Sequence, residues 1–142
     1  MSHPSLAIAT RLHLGHASHP PPTNQLTSTL TNFANLASDV KANVALVAVD
    51  AEKKIEGYNL VSEVEGICQR LNYDRECQLE ILPVQPWGKF VPALNAIIAH
   101  SARKNAKCLL LASAEVEVRG DVMQSLWEEM IFADTLVVGK RL

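Results

Sequence analysis

Residues 78–117 read QLEILPVQPWGKFVPALNAIIAHSARKNAKCLLLASAEVE. Leu79 to Val84 is a short apolar run with the length of a strand. Gln85-Pro86-Trp87-Gly88-Lys89 has the composition of a turn, and a helix is expected from about Pro92 to Lys104. A second apolar run, Cys108 to Ala112, then stops at Ser113-Ala114-Glu115-Val116-Glu117, where acids appear. Strand, glycine turn, helix and strand make a βαβ unit with polar residues at the strand ends. Ligands of open parallel sheets collect at those ends.

Upstream the same alternation continues. Leu6 to Thr10 is expected to be a buried first strand, and Arg11 to Thr23 a loop ending in Pro20-Pro21-Pro22. Thr23 or Asn24 caps a helix whose apolar positions are Leu26, Leu30, Phe33, Ala37 and Val40, a spacing that marks one buried face. Val44 to Val49 is apolar at every position, as in a strand covered on both faces, and it ends in Asp50. Lys53, Lys54, Glu56 and Gly57 make a turn. Asn59 caps the next helix, with Leu60, Val64, Ile67, Cys68 and Leu71 on its buried face.

Downstream, Asp121 and Gln124 have the spacing of a capping box. The helix they open carries Val122, Leu126 and Met130 beside Met123, Trp127 and Ile131, and Thr135 to Gly139 reads as a fifth strand. The expected fold is therefore α/β: a mostly parallel sheet of five strands between two helical layers, in one domain spanning residues 1–142.

Composition narrows the function classes. The chain is 48% hydrophobic and 20% charged, with a formal charge of −2. That balance gives no electrostatic basis for binding nucleic acid or an anionic membrane. No stretch supplies the ~20 apolar residues of a membrane span. The N-terminal residues lack the basic and apolar regions of a secretory signal. Three scattered cysteines, Cys68, Cys77 and Cys108, fit reduced thiols and a cytoplasmic location.

The strand ends Thr10-Arg11, Asp50, Gln85-Pro86 and Ser113-Ala114-Glu115 are expected on one rim of the sheet. An acid there accepts hydrogen bonds from a base or ribose. A glycine turn with a lysine and a helix N-terminus favours phosphate. The plainer alternative is that polar residues simply return where strands end. His13, His16 and His19 could ligate a transition metal, but their spacing is not that of a structural zinc site, and Gly15 and Pro20 favour a solvated loop. His100 is expected on the surface of its helix or partly buried. Trp87 either stacks on a ring or closes the core, and Trp127 packs.

Gly88-Lys89-Phe90-Val91-Pro92-Ala93-Leu94-Asn95, followed by Leu109-Leu110-Leu111-Ala112-Ser113-Ala114-Glu115, resembles the central block of family 2 glycosyltransferases, which have the Rossmann-like GT-A fold. The family pattern is a glycine-lysine turn, a helix containing Ala-Leu-Asn, and an apolar strand ending in Asp-x-Asp. Arg119-Gly120-Asp121 falls where Pro-Pro-Asp is common, and Val49-Asp50 is similar to the Val-Asp after the second strand. The resemblance covers nearly the whole chain.

It implies binding of a UDP- or GDP-linked sugar. Asp50 would contact the base, and Thr10, Gly88, Lys89, Asn95 and Ser113 would border the nucleotide. Glu115 and Glu117 would hold Mn or Mg. Ser113 and Glu115 depart from Asp-x-Asp. Glu115 still offers a hard oxygen ligand, whereas Ser113 adds no charge. The acceptor-binding half that carries the family's base has no counterpart before Leu142, so no catalytic residue is assigned. The alternative is a truncated, degenerate member, a non-catalytic binding or assembly module that forms a homo-oligomer. Nucleotidyltransferases rank third, because no glycine-rich loop follows the first strand.

Overall fold

The structure, a computed structural model, describes residues 5–15, 17–88 and 91–112. Their order is β1 (Leu6–Leu12), α1 (Thr23–Asp39), β2 (Val44–Asp50), α2 (Leu60–Asn72), β3 (Leu79–Val84), α3 (Val91–Arg103) and β4 (Cys108–Leu111). The four strands form one sheet in the order β3-β2-β1-β4. Every pairing is parallel, with Ala7 opposite Val44, Ala45 opposite Leu79 and Leu6 opposite Cys108. The α/β, three-layer parallel arrangement is as expected. Four strands are seen rather than five, because the stretch read as the fifth, Thr135 to Gly139, lies outside the described residues, as does the stretch from Asp121 to Ile131 read as a helix.

Alternation along β1 and β2 builds two cores. Ile8, Val47 and Val49 meet Leu30, Phe33, Val64 and Ile67 of α1 and α2 on one face. Ala7, Ala9, Leu46 and Ala48 meet Ala93 and Ile97 of α3, together with Trp87, on the other. Every residue of β2 is buried. β3 is less covered, and its exposed Pro83 suits a strand at the sheet's edge, where a missing N–H costs no ladder bond.

Two asparagines start strands by standing in for a neighbouring strand. The Leu6 amide donates to Asn43 Oδ1 at 2.9 Å, and the Asn43 amide donates to the Leu6 carbonyl at 2.8 Å. Asn72 brackets Leu79 in the same way, accepting from its amide at 2.7 Å and donating to its carbonyl at 3.1 Å.

The caps divide. Asn59 caps α2 as expected, its Oδ1 accepting from the Ser62 amide at 3.1 Å. Asn59→Ala should therefore cost about 1 kcal/mol in denaturant unfolding. At α1 the expected cap is corrected: Pro22 holds the N-cap position and no side chain caps the helix. The fixed φ of proline presets the turn, which leaves Thr23 inside the helix. Its hydroxyl instead donates to Glu63 Oε1 at 2.7 Å and joins the first turns of α1 and α2.

Cys68, Cys77 and Cys108 are free thiols. Burial pushes the Cys68 thiol up to about 11 from an ordinary value of 9.0. In the unfolded chain this thiol ionises at lower pH than in the folded one. Its contribution to stability is thus complete below pH 9 and declines as the pH rises toward 11. Cys68→Ala should make the alkaline loss of stability shallower, as read from melting temperatures across that range.

Candidate functional site

Because all four strands run the same way, their C-terminal ends, Leu12, Asp50, Val84 and Leu111, share one edge of the sheet. The chain first extends outward from β1 to β2 and β3, then returns to the other side of β1 as β4. That reversal places the topological switch point between the ends of β1 and β4, one strand away from Asp50 on β2.

Asp50 closes β2 and is only 5% exposed. Its Oδ1 accepts the Glu52 amide at 2.8 Å and the Lys53 amide at 3.1 Å, so the carboxylate ties down the turn that follows it. The Ala51 amide donates to the Val84 carbonyl at 3.0 Å, extending the β2–β3 pairing past the strand end. Alternation continues the series Val44, Leu46, Ala48 into Asp50 and so assigns it to the α3 side.

Thr10 belongs to the other series, Leu6 and Ile8, on the α1 and α2 side. It is 1% exposed, and its hydroxyl has no hydrogen-bond partner among the described residues. The sheet therefore lies between Thr10 and Asp50 and does not bring the two side chains together.

Gly88 ends the turn after β3 at φ +60, and a Cβ there would approach Pro92 Cγ at 3.2 Å. Both the backbone conformation and the close proline favour glycine. Asn95 is exposed on α3, along the outward line of Val91 and Ile98, while Ala93, Ile97 and Ser101 face the sheet. Lys89, Ser113, Glu115 and Glu117 lie outside the described residues. Among those described, no three His, Cys, Asp or Glu side chains form a group able to hold a metal ion.

Two cross-loop contacts near Asp50 had no local sequence signal. Trp87, from the β3–α3 turn, is 6% exposed and packs in the α3-side core with Ala48, Val84 and Ala93. Its ring lies 6.0 Å from that of His13, centroid to centroid, at a tilt of 36°. His13 comes from the β1–α1 loop. Since β2 sits between β1 and β3, this pair reaches across the end of β2. From the β2–α2 turn, Lys53 Nζ donates to the Gly15 carbonyl, a second contact to the same β1–α1 loop. The partners are 74 and 38 residues apart in sequence, so neither periodicity nor spacing points to them.

Other polar clusters serve the scaffold. His100 is half-buried on α3, with Nε2 3.4 Å from Glu80 Oε2, and Lys104 Nζ lies 3.2 Å from Glu80 Oε1. Together they fasten α3 to β3. A hollow of about 1020 Å³ opens at the opposite end of the molecule, beside Ser38, Lys41, Arg70, Tyr73 and Arg75. There Arg75 donates to the Leu71 carbonyl at 3.0 Å and to Asn35 Oδ1 at 3.1 Å. Cations at helix C-termini satisfy free carbonyls, and this pair of bonds explains Arg75 without a ligand.

No family model, curated protein or solved structure matches the chain.

Proposed function

We propose that the chain is a glycosyltransferase-like GT-A domain that binds a nucleoside-diphosphate sugar at the C-terminal edge of its sheet. The observation that carries this reading is the all-parallel order β3-β2-β1-β4, which puts the C-terminal ends of the four strands, Asp50 among them, on one edge of the sheet, the edge where ligands of such folds collect. The resemblance of the Gly88-to-Glu115 block to family 2 glycosyltransferases supports the choice of ligand. Asp50 would meet the base, while the Gly88-Lys89 turn and the start of α3 would face the diphosphate. A divalent ion would offset the charge of that diphosphate. Glu115 and Glu117, its expected ligands, lie outside the described residues. No residue is assigned as a catalytic base.

The experiment is a thermal melt with UDP, GDP and their sugar conjugates, with and without Mn. A ligand at 100 times its Kd adds about 2.7 kcal/mol to the folded state, a rise of several degrees in Tm. No rise with any nucleotide at millimolar concentration contradicts the reading. The second reading is a non-catalytic assembly module. It draws on β4, an all-apolar strand that is only half-buried and whose Leu111 is 44% exposed. Light scattering at high concentration separates the two, because a strict monomer removes the assembly role.

A further inference from the structure

The β1–α1 loop is held down over the end of β2 from two sides. His13 lies against Trp87, and the Gly15 carbonyl accepts from Lys53. Between these attachments Leu14 is buried in the core, so the loop pivots on an anchored residue. Of the two reaching side chains, His13 is exposed and Lys53 half-buried, whereas Asp50 and Trp87 are 5% and 6% exposed. Asp50 also sets the direction of Lys53 by accepting its amide, so the acid helps to close its own cover.

We propose that His13, Gly15 and Lys53 form a clasp that shuts the Asp50 end of β2 and must open before a planar ligand reaches Asp50 and the ring of Trp87. The role of Asp50 as a ligand contact rests on the function proposed above; the closure itself does not. A binding-competent form that is a minor population weakens apparent affinity by its fraction, so the clasp sets the affinity of this site. Asp50 and Trp87 belong to the same, α3, side of the sheet, and a carboxylate and an indole there suit a flat ring carrying N–H donors.

The test uses the full chain carrying Trp127→Phe, so that Trp87 alone reports. Acrylamide quenching of its fluorescence is measured without ligand for the parent, His13→Ala, Lys53→Met and Lys53→Arg. The clasp predicts quenching constants at least about twofold higher for His13→Ala and Lys53→Met, and a parental value for Lys53→Arg, which keeps a donor. Unchanged quenching in the first two, or an equal rise in all three, overturns it.

UDP and GDP titrations then follow in the same proteins. Where the parent binds, the opened variants should bind up to about tenfold more tightly. Weaker binding would make His13 and Lys53 ligand contacts and overturn the clasp. If no nucleotide binds the parent, the proposed ligand fails while the quenching result still decides the closure.

Discussion

Leu46→Ala is expected to lower the unfolding free energy by about 3 kcal/mol and Tm by about 10 °C. Leu46 is fully buried at the centre of β2, in a cluster with Ala7, Ala9, Ala48 and Ala93 and with the larger Val44, Val84, Trp87 and Ile97. The four alanines have no side chain that could reach into the space left behind. The cost should therefore exceed the transfer free energy of the lost methyl groups, because an unfilled cavity also forfeits dispersion contacts. Truncating Leu111, which is 44% exposed, should cost less than about 1 kcal/mol, since little apolar area is withdrawn from water there. Urea unfolding of the two variants checks the contrast. Equal losses would mean that the sheet is not centred on β2.

The second large effect concerns Asp50. Asp50→Ala removes the acceptor of two backbone amides at 2.8 and 3.1 Å, in a residue that is 5% exposed. Leaving those amides unmatched should cost about 2 kcal/mol. The same change should abolish the nucleotide-induced rise in Tm. Asp50→Asn separates the two roles. Its side-chain oxygen still accepts from Glu52 and Lys53, so stability without ligand should stay within about 1 kcal/mol of the parent. The carboxylate that would receive a base's N–H donors is gone, so the nucleotide response should still disappear. Retention of the full response in Asp50→Asn would reduce Asp50 to a turn-forming residue. That structural role is already evident in its two bonds, which is why the isosteric variant is the informative one.

Much of the scaffold was legible because its signals are local. An uninterrupted apolar run from Val44 to Val49 can lie only where both faces of a sheet are covered, and β2 is buried throughout. Of the face expected of the second helix, α2 buries Leu60, Val64, Ile67 and Cys68, and Leu71 is partly buried against the same core. The error at α1 was also local. Two residues with side chains fit for capping follow three prolines, and the last proline takes the cap position instead. The order of the strands was not legible, because no spacing in the chain says that β4 returns to pair with β1. The site was legible in part. Placing Asp50 at a strand end followed from the apolar run before it, but the opposite orientation of Thr10 depends on the phase of alternation in a different strand. The contacts of His13 with Trp87 and of Lys53 with Gly15 depend on which strands are neighbours, so they emerge only with the assembled sheet.

The proposed ligand edge and the hollow beside Arg75 lie at opposite ends of the sheet, so a titration can tell them apart. The decisive measurement is an amide chemical-shift map during titration with UDP or GDP in the presence of Mg, which avoids paramagnetic broadening. The account predicts perturbations concentrated at Asp50 to Lys53, at Gly15 and at Trp87 and Gly88, with Ser38, Lys41, Tyr73 and Arg75 unmoved. Perturbations confined to the latter group, or none at saturating nucleotide, would contradict it.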